Sequence, residues 1–205
     1  MQIFECEQTT DEWHSLRVGV PTASMFDAVI AKGRSGADSK TRKTYMLKLL
    51  GERHTGVSAE TYTNGHMERG KEMESEARAL YELLTGHDVR QVGFILNNEV
   101  GCSPDGMIGD DGLVEIKTKL PHLQLAAILK GELPCEHKAQ VQGQLWVTDR
   151  QWCDFFSYWP GLPHLLVRVH RDEPFIEELK IEVAQFLREI ENLEEQIAKK
   201  YLREI

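Results

Sequence analysis

The spacing of apolar residues along the chain changes twice, and each change marks a different kind of secondary structure. Toward the N-terminus, apolar residues recur every three to four positions, as they do on one face of a helix. This period predicts helices over residues 22–31, 39–50 and 67–85. Ser39 is a favourable N-cap for the second helix, and Gly86 follows the third, at the position where glycine commonly ends a helix.

The middle of the chain is rich in β-branched and aromatic residues, which predicts strands. The predicted strands cover residues 89–96, 102–109, 113–118, 152–159 and 165–170. The second and third of these would form a hairpin around a turn at 109–112. Further helices are predicted at residues 123–129 and 135–147, and a long amphipathic helix at 175–205.

This order of helices and strands indicates an α/β fold with a mixed central β-sheet and a helical N-terminal region. With 205 residues, the chain is long enough to form one well-packed core. We therefore predict a single domain over residues 1–205. It would have a helical part at about 1–66, a core at about 67–170 and a C-terminal helix at about 175–205.

The composition, with 41% hydrophobic and 28% charged residues, is typical of a soluble globular protein. The first residues include acids where a secretion signal has a basic and then an apolar region, and no apolar run approaches the roughly 20 residues of a membrane helix. The four cysteines form no CxxC pair, which disfavours a cysteine-bound metal cluster. Unpaired cysteines favour a reducing cytoplasm.

The formal net charge of −9 argues, taken alone, against a protein that binds nucleic acid. The charge is unevenly distributed, however. Residues 28–55 contain seven Lys or Arg against two acids, whereas residues 172–205 contain ten acids against five bases. The chain therefore has a basic N-terminal segment and an acidic tail, each of which could also be an ordinary solvated helix face.

Three ionisable residues interrupt the predicted hairpin: Asp105, Glu115 and Lys117. Glu115 and Lys117 share one face of their strand, and a turn centred on 110–111 places Asp105 opposite Ile116. Two carboxylates at one place repel each other unless a cation lies between them, and such oxygen ligands, with the Ile116 carbonyl, suit Mg²⁺ or Mn²⁺. A surface hairpin with an incidental Glu–Lys pair is the alternative. The apolar neighbours indicate an internal strand and favour the metal site.

The motifs around this hairpin resemble those of the PD-(D/E)xK nucleases, and among them the lambda exonuclease or YqaJ-type viral recombinase family. The hallmark is SPDG followed by a Glu-x-Lys strand, here SPDG at 103–106 and EIK at 115–117. Three more segments resemble elements of this family in the same order: WHSLRVGVPTAS at 13–24, RGKEMESEAR at 69–78 and KAQVQGQLWVT at 138–148. The resemblance implies a restriction-endonuclease-like fold.

The resemblance also implies roles for the residues of the catalytic site. Asp105, Glu115 and the helix-borne Glu74 would bind the metal, and Lys117 would be the catalytic lysine. Gln140 would lie near the scissile phosphate. From the residues alone, Glu74 is one more exposed acid, and Gln140 could equally belong to the polar face of an amphipathic helix.

A second implied site would receive a 5′-phosphorylated DNA end. Arg17, Ser24 and Ser103, together with Gln140, match its positions in the family. The chemistry is suitable, because arginine pairs with phosphate through two hydrogen bonds and hydroxyls donate to the remaining oxygens. Ser24 could instead be a helix N-terminal hydroxyl without a ligand.

The activity that the resemblance implies is that of a Mg²⁺-dependent 5′-to-3′ exonuclease, with Mn²⁺ as a possible substitute. It would digest one strand of linear double-stranded DNA to 5′-mononucleotides and leave a 3′ single-stranded overhang for phage-type recombination. Members of the family are homotrimeric rings, so the basic segment 28–55 would line a central channel. A single-strand annealing recombinase would be the partner protein.

Three alternatives use the same residues differently. A PD-(D/E)xK endonuclease would have the same Asp–Glu–Lys site and would cut circular DNA. A RecB-type nuclease with an iron–sulfur cluster would need grouped cysteines, which this chain lacks. A non-catalytic DNA-end-binding scaffold would bind DNA without turnover, and the complete set of Asp105, Glu115 and Lys117 argues against it.

Overall fold

The computed structural model describes residues 1–33, 39–59 and 65–201, without the side chains of residues 65–72 and 201. Its helices are α1 (Asp11–Arg17), α2 (Phe26–Ile30), α3 (Lys40–Thr55), α4 (Gly65–Thr85), α5 (Pro121–Lys130), α6 (Lys138–Thr148) and α7 (Glu173–Tyr201). Its strands are β1 (Gln2–Phe4), β2 (Val89–Arg90), β3 (Phe94–Asn97), β4 (Val100–Cys102), β5 (Gly106–Ile108), β6 (Gly112–Thr118), β7 (Trp152–Tyr158) and β8 (Leu165–His170). Within these ranges, the single-turn 3-10 helices Ala23–Met25 and Cys135–His137 precede α2 and α6.

The strands form two sheets. A small antiparallel sheet has the order β1-β3-β4, and the larger sheet has the order β2-β5-β6-β7-β8. In the larger sheet β6 and β7 run parallel, whereas the other neighbouring strands run antiparallel. The predicted α/β class with a mixed central sheet is confirmed.

Helices cover both faces of the larger sheet, and the alternation of side chains along β6 shows how. Leu113 belongs to the main apolar cluster, which includes residues of α3, α6 and α7. Val114 and Ile116 point to the opposite face, where they pack against Tyr81 of α4. Each large apolar side chain that is buried in this way contributes about 1.5–3 kcal/mol to folding. Strand β6 is therefore buried on both faces, as its apolar sequence predicts.

Several boundaries in the N-terminal part differ from the prediction. Strand β1 and helix α1 were not predicted, because both are too short for a clear period. The helix predicted at 22–31 is a 3-10 turn followed by the short α2. Ser39 caps α3 as predicted, but this helix continues through Gly51 and ends at Gly56, whose φ of +69° is left-handed.

The predicted strands 89–96 and 102–109 are each divided between the two sheets. Val89–Arg90 pairs with β5 in the larger sheet, whereas Phe94–Asn97 pairs with β1 and β4 in the small sheet. The segment 102–109 likewise leaves the small sheet at Cys102 and enters the larger one at Gly106. The β-rich composition of these two segments therefore did not reveal the change of sheet within each of them.

The remaining elements lie close to their predicted positions. Helices α5 and α6 occupy Pro121–Lys130 and Lys138–Thr148, with a 3-10 turn ahead of α6. Strand β8 has the predicted bounds, and α7 begins at Glu173, two residues earlier than predicted. The predicted end of this helix at residue 205 lies outside the described residues. The division into one domain with three parts stays a prediction.

The longest helices are amphipathic rather than uniformly apolar. Within the residues that the structure describes, none of them combines the length and apolar character that crossing a bilayer requires.

Candidate active site

The site is built on the β5–β6 hairpin, whose loop is held from outside. Gly109 takes a left-handed φ of +49° and begins a three-residue loop between β5 and β6. The buried guanidinium of Arg150 donates from Nη1 to the carbonyls of Ile108, Gly109 and Gly112, at 3.1, 3.0 and 2.6 Å. These contacts fix the closed end of the hairpin and so orient its open end.

Asp105 lies at the open end, immediately before β5. The strands pair Gly106 with Val114, one residue away from the predicted register, so Asp105 stands level with Glu115 rather than Ile116. The predicted register was wrong because the loop has three residues instead of four. The carboxylate of Asp105 accepts the backbone N–H of Ile116 at 2.6 Å. The carbonyl of Ile116 points to the same side of the strand as its N–H, toward Asp105.

Glu115 has hydrogen-bond donors on both of its oxygens. Lys117 Nζ and Gln140 Nε2 both donate to Glu115 Oε1, the latter at 2.6 Å, and Gln144 Nε2 donates to Oε2 at 2.6 Å. Glu115 is only 1% exposed, whereas Lys117 is half-buried. The two glutamines lie one turn apart on α6, which packs on this face of the sheet. The structure thus brings together Asp105, Glu115, Lys117 and Gln140.

The electrostatics of this group are dominated by its carboxylates. Burial raises the pKa of Asp105 well above its usual range, and the negative charge of Glu115 raises it further, whereas Lys117 acts in the opposite direction. Burial lowers the pKa of Lys117, but the charges of Glu115 and Asp105 outweigh it, so the pKa of Lys117 is raised. The site therefore carries negative charge that favours a cation.

Glu74 lies on α4, which covers the opposite face of the sheet, and it forms an ion pair with Arg78 one helical turn further on. Its charge still raises the pKa of Asp105. Within the described part of the chain, no three His, Cys, Asp or Glu side chains are close enough together to hold a metal ion. The chemistry of Asp105 and Glu115 fits an oxygen-liganded divalent cation, but Glu74 is not gathered with them in this arrangement.

Arg17 and Ser103 meet beside this site. Arg17 Nη1 lies 3.4 Å from Ser103 Oγ, and Trp13 Nε1 donates to the same hydroxyl at 2.9 Å. The guanidinium of Arg17 lies 4.1 Å from the centre of the Trp13 ring, a cation–π distance. We call Arg17, Ser103 and Trp13 the cationic corner. Ser103 precedes Asp105 by two residues, so the cationic corner adjoins the carboxylates.

Ser24 occupies a neighbouring turn. It is exposed, and its Oγ lies 3.2 Å from Oγ1 of Thr22. Thr22 forms an isolated parallel bridge with Gly101, two residues before Ser103. Thr22 is the N-cap residue of the 3-10 turn and makes no side-chain capping bond, so Ser24 is within the turn rather than at its cap.

Two further residues at the site were not assigned from sequence. Gln144, 1% exposed, binds Glu115 directly, and its only signal in the sequence is its position four residues after Gln140, on the same side of the helix. Gln8 donates from Nε2 to the carbonyls of Val92 and Pro104, each at 3.0 Å, and so ties the N-terminal segment to the turn before Asp105. Nothing in the local sequence marks Gln8.

The basic segment 28–55 is less available than its charge indicates. Arg42 forms an ion pair with Glu189 of α7, and Arg53 donates from Nε to the carbonyl of Gly19. Lys40 and Lys43 are exposed on α3. Arg34 lies outside the described residues.

Comparison with known proteins identifies the family. Residues 12–151 match the YqaJ-like viral recombinase domain, which is more than half of the chain. The chain belongs to this family. In addition, this YqaJ-like protein is 37% identical to an alkaline exonuclease (LHK-Exo) from Laribacter hongkongensis over 96% of its own chain and 100% of the other, with a TM-score of 0.87. LHK-Exo in complex with dAMP matches over the same shares, at 37% identity and a TM-score of 0.88.

A phage-related exonuclease from Haemophilus somnus 129PT shares 17% identity and a TM-score of 0.67, over 90% of the YqaJ-like chain and 99% of its own. At that identity, the likeness shows the fold alone. A comparison with curated protein sequences gives no significant match. Family membership and the 37% identity to an alkaline exonuclease identify the YqaJ-like protein as a nuclease.

Proposed function

We propose that this YqaJ-like protein is a Mg²⁺-dependent exonuclease that digests one strand of linear double-stranded DNA from its 5′ end. The products would be 5′-mononucleotides and a 3′ single-stranded overhang. The observation that carries this proposal is the convergence of Asp105, Glu115, Lys117 and Gln140 at the open end of one hairpin. It is supported by the similarity to LHK-Exo, an alkaline exonuclease that has been solved in complex with dAMP, a deoxynucleoside monophosphate.

Oxygen ligands on three elements would hold the metal. Asp105 and Glu115 would provide the central carboxylates, with the Ile116 carbonyl beside them. Glu74 would complete the site after release from Arg78. Mg²⁺ bound here would supply Lewis-acid stabilisation of the charge that develops on the phosphoryl oxygens. Mn²⁺ is expected to substitute, because it prefers the same ligands.

The side chains around these carboxylates would manage the attacking water. Lys117, which the charges of Glu115 and Asp105 keep protonated by raising its pKa, would position this water beside the phosphorus. Gln140 uses one amide N–H on Glu115, and the second N–H of the same amide remains for the scissile phosphate. The water oxygen forms a new bond to phosphorus while the bond to the 3′ oxygen of the terminal nucleotide breaks. The shortened strand therefore keeps a 5′-phosphate.

That newly formed 5′-phosphate is the group that the cationic corner would receive. Arg17 would provide the charge and Ser103 a hydroxyl donor, with Ser24 approaching from the adjacent turn. Trp13 supports both partners, because it stacks under Arg17 and donates to Ser103. Each cleavage would thus regenerate the end that the protein recognises.

The assembly that we propose is a homotrimeric ring around the DNA, and the partner is a single-strand annealing recombinase that takes over the 3′ overhang. The residues of the basic segment best placed for phosphate contacts are the exposed lysines Lys32, Lys40 and Lys43, whereas Arg42 and Arg53 are bound within the fold. Light scattering tests the assembly, with a mass of three chains as the expected result.

The activity is tested with four DNA substrates: linear duplexes with 5′-phosphate or 5′-hydroxyl ends, the 5′-phosphorylated duplex labelled at a 3′ end, and a closed circle. Each is incubated with Mg²⁺ and with EDTA. We expect early release of 5′-mononucleotides from the 5′-phosphorylated duplex, late release of the 3′ label, an intact circle and no reaction in EDTA.

Two other results would change the proposal in different ways. Cutting of the closed circle would replace the exonuclease with an endonuclease that uses the same residues. Binding of DNA without cleavage in either Mg²⁺ or Mn²⁺ would reject a catalytic role for the hairpin.

A further inference from the structure

The carboxylate of Glu115 accepts hydrogen bonds from outside the hairpin as well as from within it. Lys117 and Gln140 donate to one of its oxygens, and Gln144 donates to the other at 2.6 Å. Lys117 reaches Glu115 from the same strand, whereas both glutamines reach it from α6. The orientation of this buried carboxylate therefore depends on α6, a helix outside the hairpin.

Gln144 is unusual among the buried polar residues of α6. Its side chain is 1% exposed, and its Oε1 atom is buried without a hydrogen-bond partner. A buried amide oxygen without a donor is unfavourable for folding, because it loses its hydrogen bonds to water and gains none. Among the described residues, the one hydrogen bond that this side-chain amide makes is to Glu115, which indicates that its use lies there.

A structural glutamine looks different, and the same helix provides one. Gln142 is 2% exposed, and both ends of its amide are satisfied by backbone atoms: Nε2 donates to the carbonyl of His170 and Oε1 accepts the N–H of Asp172. Gln142 thus joins α6 to the segment between β8 and α7. Gln144 joins α6 to a carboxylate of the site.

We propose that Gln144 is a positioning residue that fixes the carboxylate of Glu115 in the orientation needed to bind the metal. It donates to Oε2, while Gln140 and Lys117 donate to Oε1, so the plane of the carboxylate is set from both sides. The inference rests on the proposed function in one respect, the assignment of Glu115 as a metal ligand. Partners that hold metal ligands in place typically change metal affinity by about 10- to 100-fold when they are removed.

The test compares Gln144→Met with Gln142→Met, a matched pair of isosteric changes at buried positions on one helix. Binding of Mn²⁺ to each purified protein is measured from the electron paramagnetic resonance signal of free Mn²⁺. The Mn²⁺ concentration for half-maximal cleavage of linear DNA and the melting temperature are measured in parallel. Gln144→Asn, which keeps an amide but retracts it by one methylene, is a second variant with a polar side chain.

We expect Gln144→Met and Gln144→Asn to weaken Mn²⁺ binding at least about 10-fold and to raise the half-maximal Mn²⁺ concentration in proportion, with an unchanged KM for DNA. Gln142→Met should lower the melting temperature and leave Mn²⁺ affinity within about twofold of the wild type, because it contacts only backbone atoms. If Gln144→Met does not fold, Gln144→Asn decides the outcome.

The two proposals fail in distinguishable ways. Wild-type protein that binds no Mn²⁺ would reject the assignment of the metal site itself. Wild-type protein that binds Mn²⁺ with an affinity that neither Gln144 variant changes would overturn the positioning role and leave the proposed function intact. An equal loss of Mn²⁺ affinity in Gln142→Met would also overturn it, since general loosening of α6 would then explain the effect.

Discussion

The carboxylate of Asp105 accepts the backbone N–H of Ile116 across 2.6 Å, at the point where β5 has not yet begun and β6 is already paired with β7. The N–H of Ile116 would otherwise need a carbonyl of a neighbouring strand as acceptor, and the side chain of Asp105 takes that place. Asp105 is thereby held beside Glu115 even though their negative charges repel each other.

The negative charge of Asp105 is central to the proposed metal site. Asp105→Asn keeps an oxygen for the Ile116 N–H but removes the charge, so cleavage should fall by at least about a thousandfold with loss of metal binding. The pKa of Asp105 is raised in the fold, so its ionised form opposes folding at neutral pH. The melting temperature of the metal-free variant should therefore rise. A metal-free variant that melts below the wild type would contradict this.

Lys117→Ala should abolish cleavage while leaving DNA binding largely intact, because the lysine acts on the reacting water and not on the duplex. Cleavage is measured with Mg²⁺, and binding by electrophoretic mobility shift in EDTA. The control is Lys119→Ala, since Lys119 lies two residues further on and donates to Glu136 at the surface. Wild-type cleavage, or loss of folding, in Lys117→Ala would reject the assigned role.

Arg17→Met should remove the preference for 5′-phosphorylated ends. A charge-assisted contact to phosphate is typically worth about 1.5–3 kcal/mol, so the ratio of kcat/KM for 5′-phosphate over 5′-hydroxyl DNA should fall about 10- to 100-fold. The 5′-hydroxyl substrate is the internal control, because its cleavage should hardly change. A variant that keeps the full preference would show that the phosphate binds elsewhere.

Arg150→Met should destabilise the fold by about 2–3 kcal/mol, because the three carbonyls at the closed end of the hairpin lose their shared donor. Urea unfolding gives the change in the free energy of unfolding. Arg90→Met is the matched control, since the pair of Arg90 with Glu5 is exposed and such pairs contribute little. If the free energy of unfolding falls no more in Arg150→Met than in the control, the hairpin loop does not depend on Arg150 for its stability.

The stability of the protein should fall between pH 7.5 and 5 through His137. Burial and the charge of Lys117 lower the pKa of His137 from 6.5 to about 4, and its ring lies 5.1 Å from that of Phe155. The unfolded chain then binds a proton that the folded chain does not, so stability is intact above pH 6.5 and decreases as the pH falls toward 4.

The expected loss from His137 between pH 7.5 and 5 is at most about 2 kcal/mol. Urea unfolding of the wild type and of His137→Gln at both values isolates this contribution from that of the acids. The same loss in both proteins would exclude His137 as its source.

Much of the site could be predicted from the sequence because its residues are close in the chain. Asp105, Glu115 and Lys117 occupy one hairpin, so the period of a strand is enough to place them together. The exact pairing was not predictable in the same way, since one left-handed residue at Gly109 shortens the loop and moves the register by one position.

Contacts between distant segments were harder to predict. Gln144 reaches Glu115 only because α6 packs on the sheet, and the sequence alone does not distinguish it from Gln140 and Gln142 on the same helix. The division of residues 89–96 between two sheets was hidden for a related reason. The periodicity of hydrophobic residues predicts that a segment is extended, but it does not predict which strands that segment pairs with.

The passage of the chain from one sheet to the other sets a distance on the substrate. Ser103 and Asp105 lie in the three-residue connection between β4 and β5, and two residues of extended chain span at most about 7 Å. Under the proposed assignment, the residue that binds the 5′-phosphate, Ser103, and the metal ligand Asp105 are thus covalently held at a separation on the scale of one nucleotide step rather than of a helical turn. The short peptide connection would then limit how far from the bound 5′ end the strand is cleaved, which agrees with the proposed release of mononucleotides.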